Sequence, residues 1–389
     1  MKVCVVAEYY PRRRDPVLGI WAHRQALAAR EAGADVKVLV LERPVPPART
    51  LRRPWTLPRA LTRIGRQPAG DELDGIEVRY VRFVAGSRER SYASWHERAA
   101  GPLHGALSKL HSGWPFELVH AHYALPAGGA ALPYTREHGL PLVVSVHGGD
   151  VLGPLLQAPE AQAAVASVLG EATEVLCNSR DTLARASAMI ASDERLRVVH
   201  LGADPPPEVP PKLERPTVVT LGHVVERKRH VDVLDAVARL PGVGWMVIGD
   251  GPELPTLRER AVELGVEDRV DFRGQVAPDD AICELASGHV MALPSVDEAF
   301  GVAYVEALAC GVPAIGCLGE GGPQEIAALG GGMLLVPARD PAALAQAIET
   351  ALADPALPAQ ARRTASEHFS WQRCGRATVA AYRDALASS

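Results

Sequence analysis

The 389 residues carry 41 Lys and Arg against 46 Asp and Glu, a formal net charge of -5, and 47% of them are hydrophobic. A chain this long exceeds what one hydrophobic core usually supports, so two domains of roughly 200 residues are expected. The acidic balance argues against a nucleic-acid protein, whose affinity rests on phosphate neutralisation, and favours small or neutral ligands.

The chain opens with "MKVCVVAEYY", which turns polar too soon for a signal peptide, and no later apolar run approaches the roughly 18 residues that span a bilayer. Cys4, Cys177, Cys283, Cys310, Cys317 and Cys374 are scattered without a C-x-x-C pair, and several sit in apolar runs. They read as reduced core thiols, so the expected location is cytoplasmic.

Short β-rich runs alternate with Ala- and Leu-rich segments of helical spacing. "KVCVVA" (2–7) is followed by "WAHRQALAAREAG" (21–33) and "VKVLVL" (36–41), and further on by "PLVVSVHGGD" (141–150) and "EVLCNS" (174–179). Strands apolar on both faces and separated by helices indicate parallel sheets covered by helices, so the fold class is α/β. One segment, "RTLRRPWTLPRALTRIGRQ", opened by Arg49 and closed by Gln67, carries six Arg and no acid. It reads as a solvated surface stretch, or as an arm touching anionic lipid or an anionic acceptor, with Trp55, Leu57, Leu61 and Ile64 as an apolar counter-face. The second reading adds a peripheral contact with the inner face of the membrane.

At "ADPPPEVPPKLERP" (203–216) six of fourteen residues are proline, and neither helix nor sheet continues. This is a stiff linker between a first domain, 1–204, and a second, 205–370. The alternation then restarts with "TVVTLG", a helix from about Arg229, "GWMVIGDG", a helix at "LPTLRERAVELG", "RVDFRG", "HVMALP", a helix containing Glu306, "PAIGCLG" and "MLLVPARDPAALAQAIETAL". Two doubly wound domains follow, with a ligand cleft where their strand ends face each other.

Two carboxylates flank the start of one of those helices in "EAFGVAYVE": Glu298 lies just before the glycine that opens it, and Glu306 about five residues in, roughly 7–8 Å along its axis. Gly301 lets a ligand approach the backbone, and free amides at a helix start suit phosphate, whereas carboxylates suit sugar hydroxyls. The ligand so described has both phosphate and hydroxyls. On spacing alone the alternative stays open that both are ordinary helical acids. The stretch "LGHVVERKRHVDVLDA" places Arg227, Lys228, Arg229 and His230 where a strand gives way to a helix, again suited to phosphate oxygens. The "GDG" turn at Gly249 lacks the full dinucleotide fingerprint, so no NAD is expected. His120, His122 and His147 admit a metal reading, but packing or acceptor binding suffices for them, and no Asp-x-Asp triplet occurs.

In order, "GHVVERKRHVDVL", "VIGDGPEL", "RVDFRGQV" and "LPSVDEAFGVAYVEALACGVPAIGCLGEGGPQEI" resemble the second domain of family-four retaining glycosyltransferases. "YYPRRRDPVLGIWAHRQA", "LVHAHYALPAG", "VSVHGGDV" and "LCNSRDTL" resemble its first domain, so nearly the whole chain is covered. The resemblance implies the GT-B fold, two Rossmann-like domains facing across a cleft, with a C-terminal helix at about 371–389 that crosses back onto the first domain.

It also implies site residues. Glu298 meets donor-sugar hydroxyls and Glu306 the ribose, while amides near Phe300, Gly301 and Val302 hold sugar or phosphate. Lys228 neutralises the diphosphate with Arg227 nearby, Val276 lies near the base, and His147 faces the transferring sugar. His223, a donor contact like Gly249 of the "GDG" turn, stands where many members carry Arg, which replaces a fixed charge by a group mostly neutral at pH 7 unless its pKa is raised. Acceptor groups are expected after the first strand, at Tyr9, Tyr10, Arg12, Arg13, Arg14 and Gly19, with His122. The implied reaction moves a hexose from a UDP- or GDP-sugar to an acceptor hydroxyl of a sugar, a lipid-linked sugar or a small metabolite. It proceeds with retention by front-face attack, without metal or other cofactor. The rivals are a nucleotide-sugar epimerase on the same fold and a non-catalytic nucleotide-sugar binding protein.

Overall fold

The computed structural model describes residues 1–44, 54–56, 59, 62, 68–153, 158–191 and 194–388. Most of the Arg-rich segment 49–67, and with it the expected membrane arm, lies outside the described residues.

Eight strands build the first sheet: β1 (Lys2–Ala7), β2 (Asp35–Glu42), β3 (Gly70–Leu73), β4 (Ile76–Arg82), β5 (Leu118–His122), β6 (Leu142–Val146), β7 (Glu174–Cys177) and β8 (Leu196–Val198). Their order is β3-β4-β2-β1-β5-β6-β7-β8, with only the β3–β4 pair antiparallel. β5 is buried along its whole length and β1 from Val3 onward, because helices cover both faces. The antiparallel pair turns through Asp74 and Gly75, both at positive φ (48° and 75°), the geometry that Asp-Gly favours in a two-residue hairpin.

The second sheet holds β9 (Thr217–Leu221), β10 (Gly244–Ile248), β11 (Val270–Gly274), β12 (Val290–Ala292), β13 (Ala314–Cys317) and β14 (Met333–Val336). All are parallel, in the order β11-β10-β9-β12-β13-β14. In both sheets the chain starts in the middle and winds outward both ways, so strand order reverses beside β1 and beside β9. Loops leaving the strands diverge there, and the crevice at the carboxyl ends is where such sheets bind ligands.

The proline-rich stretch after β8 crosses from one sheet to the other without helix or strand. The return crossing lies against it: Ala203 N–H donates to the Phe369 carbonyl at 2.7 Å. Gly202 sits so close that a Cβ there would lie 2.2 Å from the Trp371 nitrogen. The helix Trp371–Ala387, capped by the Ser370 hydroxyl, then packs on the helix Ile20–Glu31 of the first sheet. Gln25 Nε2 donates to Thr378 Oγ1 (3.1 Å), the Tyr382 hydroxyl meets His120 Nδ1 (2.7 Å), and Arg197 pairs with Asp384 (2.8 Å). The crossing implied by the resemblance is therefore present. Buried residues of both sheets join in one apolar cluster through the helix Val302–Ala309, Phe369 and this last helix.

Candidate functional site

Beyond β12 the chain turns through Asp297 and Gly301, at φ 55° and 83°, into the helix Val302–Ala309. A Cβ on Gly301 would lie 2.3 Å from the Tyr304 ring, so this left-handed position requires glycine. Glu298 is only 8% exposed. Its Oε2 accepts from Lys228 Nζ at 2.5 Å and from the Ser295 hydroxyl at 2.8 Å, with Arg227 at 3.8 Å. Burial pushes this carboxyl up, but the charges of Lys228 and Arg227 and the two hydrogen bonds outweigh it, leaving Glu298 below the usual carboxylate range. Every one of these contacts falls on Oε2; Oε1 has no partner among the described residues and is left to accept from a ligand. The Glu298 backbone N–H donates to Glu320 Oε2 at 2.8 Å, which fixes the loop.

Glu306 is partly buried in the same helix, and its carboxylate has no hydrogen-bond or ion-pair partner among the described residues. Burial pushes its carboxyl up to about 7, opposed by Arg24 from the helix Ile20–Glu31. Phe300 is buried and stacked on His200, so only its backbone is offered to a ligand. Val302 and Val276 are partly buried against the core.

Of the four adjacent cationic residues, two do not serve phosphate. Arg229 is held by both carboxylate oxygens of Asp232, at 2.7 and 2.9 Å. His230 is buried with neither ring nitrogen bonded, and burial with the nearby Lys228 and His223 lowers it to about 3, so it is neutral. Lys228 and the exposed Arg227 remain, though both are turned to Glu298, Lys228 at 2.5 Å and Arg227 at 3.8 Å, and the exposed His223 sits on the loop after β9. Gly249, at φ 147°, packs so tightly that a Cβ would lie 2.0 Å from the Gly222 carbonyl oxygen, and its N–H donates to Gly274 at 2.8 Å. Glycine backbone thus brings the ends of β9, β10 and β11 together.

On the opposite wall, His122 ends β5 and His147 follows β6. His122 Nδ1 and His147 Nε2 are 2.9 Å apart and the rings stack. Burial lowers His147 to about 3 and His122 well below its ordinary value, so both are neutral imidazoles at pH 7. His120 is structural, bonded to Tyr382 and Ser145. Asp150 ties the two loops together: Oδ1 accepts from the Ala124 N–H (2.7 Å) and Oδ2 from the His147 N–H (2.9 Å). Its burial pushes the carboxyl up to about 7 despite those bonds. Residue-type reasoning overlooked Asp150 because it acts on backbone amides; its position three residues after His147 was the only signal.

After β1, Tyr9 is partly exposed, and Gly19, at φ 67°, packs on its backbone with room for no Cβ, which would be 2.2 Å from the Tyr9 carbonyl carbon. Tyr10 does not join this surface, contrary to expectation. It is fully buried, its hydroxyl bonded to His23 Nδ1 at 2.7 Å, and His23 Nε2 meets Asp74 at 2.8 Å. Arg12 pairs with Glu42 at 2.9 Å and Arg13 with Asp71 at 3.3 Å.

The walls touch beside the carboxylate. Ser179 Oγ donates to the Ala299 carbonyl at 2.7 Å, and a Cβ on Gly148 would lie 2.2 Å from that of Ala299. Glu325 accepts from the Arg180 N–H (2.6 Å) and meets His200 Nε2 at 2.7 Å. His147 and Glu298 are thus each one residue from the Gly148–Ala299 contact between the two walls. Among the described residues no three His, Cys, Asp or Glu are grouped to hold a metal, and no helix is long and apolar enough to cross a membrane.

Comparison with known proteins places this architecture. The family model "Glycosyl transferases group 1" matches residues 206–368, and "Glycosyl transferase 4-like domain" matches residues 19–202. A D-inositol 3-phosphate glycosyltransferase of Mycobacterium marinum is 30% identical over 321 residues, 74% of this chain and 67% of that protein. The lipopolysaccharide core biosynthesis glycosyltransferase LpsE of Rhizobium meliloti is 36% identical over 175 residues, so the chain matches about half of that relative's length, 51%, and 45% of its own. Among solved structures, sucrose-phosphate synthase of Thermosynechococcus elongatus superposes with a TM-score of 0.78 at 20% identity, covering 100% of both chains. HepE of Anabaena, solved with UDP and glucose, gives 0.72 at 19% identity over 98% of this chain and 99% of that one.

Proposed function

We propose, from the premise that this chain belongs to the glycosyl transferases group 1 family and is a glycosyltransferase of GT-B fold, that it transfers a hexose from a UDP- or GDP-sugar to an acceptor hydroxyl with retention of configuration. The observation that carries this reading is Glu298, with one carboxylate oxygen held by Lys228 and Ser295 and the other free, beside a glycine-opened helix start. Glu298 takes hydroxyls of the donor sugar and Glu306 those of the ribose. The second domain is thus the donor side and the first the acceptor side.

In the reaction the bond between the donor anomeric carbon and the diphosphate oxygen breaks, and the acceptor oxygen bonds to that carbon from the same face. The acceptor proton passes to the departing phosphate oxygen. Charge building on that diphosphate is stabilised by Lys228, Arg227 and the first amides of the helix Val302–Ala309. These groups meet the charge without a metal ion. His147, a neutral imidazole, hydrogen-bonds the transferring sugar and positions it.

Thermal unfolding in the presence of UDP, GDP and ADP tests the donor site, because a ligand at about 100 times its dissociation constant stabilises the fold by roughly 2.7 kcal/mol. One of UDP or GDP is expected to respond, and product formation from the matching sugar donor is expected to persist in EDTA. Lys228→Ala and Glu298→Ala should each cut transfer by about 10²–10³. Full activity in both variants would place the donor elsewhere, and nucleotide binding without any product would favour the non-catalytic rival.

A further inference from the structure

We propose that the acceptor is a neutral sugar whose ring face lies on an aromatic wall made by Tyr9, Trp21 and Tyr123 beside His147; this rests on reading the cleft as a sugar-transfer site. The four rings form a closed circuit at the ends of β1, β5 and β6. Centroid separations are 6.3 Å for Tyr9–Trp21, 5.4 Å for Tyr9–Tyr123, 5.2 Å for Tyr123–His147 and 6.2 Å for Trp21–His147. All four residues are only partly buried.

The wall is built in rather than incidental. The close packing of Gly19 on the Tyr9 backbone sets the start of the helix that carries Trp21. Tyr123 is held at φ 75°, a strained conformation for a non-glycine residue that persists where surroundings enforce it, here with Asp150 binding the next residue's N–H. Among the described residues, three buried polar atoms at this wall have no partner: Trp21 Nε1, His122 Nε2 and His147 Nδ1. An indole N–H can only donate, so it calls for a ligand oxygen. A pyranose supplies both halves of the match, an apolar C–H face for the rings and hydroxyls at its edge for the orphaned nitrogens.

Charge argues against a phosphorylated acceptor. Arg12 is paired with Glu42 and Arg13 with Asp71. Arg88 is paired with Glu8 at 2.5 Å and lies over the rings of Tyr9, Tyr92 and Trp95. In the loop after β1, among the described residues, only the exposed Arg14 lacks an ion pair. Apart from the exposed Arg14 and the pair that the exposed Arg13 makes with Asp71, an anion would have to take its cations from carboxylates already holding them, and it would meet Glu8 beside Tyr9.

The test titrates the protein, with and without the nucleotide that stabilises it, with methyl glucoside, mannoside and galactoside and with the corresponding hexose 6-phosphates. The same compounds are then supplied as acceptors. At least one neutral glycoside is expected to bind and to be glycosylated with kcat/KM about tenfold or more above its 6-phosphate. Trp21→Leu should raise KM for that glycoside about tenfold with little change in kcat, and Trp21→Phe, which keeps a ring face but loses the N–H, should restore part of the loss. Stronger binding of the phosphates, no binding of any neutral glycoside, or equal loss in both Trp21 variants overturns the proposal. Failure of every nucleotide to stabilise the protein would instead sink the donor reading, and the titration without nucleotide would still judge the wall.

Discussion

Glu306 changes charge across the physiological range, because burial raises its carboxyl from the ordinary 4.5 to about 7. A folded-state value above the unfolded one means that the native protein holds the proton more tightly. Stability contributed through Glu306 therefore falls as pH rises from 4.5 towards 7 and is constant above it. Ribose hydroxyls bind best to the ionised form, so nucleotide affinity should strengthen as pH rises through about 7, and Glu306→Gln should flatten that profile. Calorimetric titration between mildly acidic and mildly basic pH checks this; a flat profile in the unsubstituted protein would remove Glu306 from the ribose. Asp150 is raised into the same range but sits at the opposite wall, and the nucleotide's terminal phosphate also titrates at about pH 6, so the difference between the unsubstituted protein and Glu306→Gln isolates the Glu306 effect. The acid pair was legible in the sequence because Gly301 and the apolar residues between the two acids mark a buried helix start. The states of Tyr10, Arg229 and His230 were not legible, since each is decided by what packs on it. Asp232 neutralises Arg229, His23 takes the Tyr10 hydroxyl, and His230 loses its charge to burial.

At the scale of elements, backbone conformation limits what side chains can do. Gly301→Ala would force a Cβ to within 2.3 Å of the Tyr304 ring at a φ that L-residues rarely adopt. The helix start must shift, costing about 1–3 kcal/mol of stability and moving the amides that meet the donor. Chemical denaturation and transfer rates should show both losses; a variant of unchanged stability and rate would mean that the loop carries no ligand geometry. The strands were readable where both faces are apolar, as in "KVCVVA" and "GWMVI", because central parallel strands are covered on both sides. β8, "LRV", is three residues long and only partly buried, so its pattern is too short to stand out. The β3–β4 hairpin carried a signal in Asp74-Gly75, but its edge strand β3, "GDEL", is short and polar and gave little else to see.

For the whole molecule, length and the proline-rich crossing sufficed to anticipate two units, whereas the pairings that close the cleft depend on residues distant in sequence, such as Ser179 with Ala299 and Arg180 with Glu325. The helix Trp371–Ala387 is part of the first unit's structure even though the second lies between them in the chain. Ending the chain after residue 370 would leave His120 Nδ1 without the Tyr382 hydroxyl and uncover the face of the helix Ile20–Glu31. The apparent Tm should fall by roughly 10 °C or more, since a loss of several kcal/mol shifts a domain of this size by a few degrees per kcal/mol. A truncated protein that melts unchanged would show the helix to be dispensable.

That helix also sets an order of events during synthesis. A ribosome adding about 5–20 residues per second needs roughly 10–40 s to travel from the end of the first unit to the segment that completes it. Throughout that interval the nascent first unit waits with an open flank beside Ala28, where Gly375 will later sit against the backbone. Its folding therefore cannot finish until the second unit has been made.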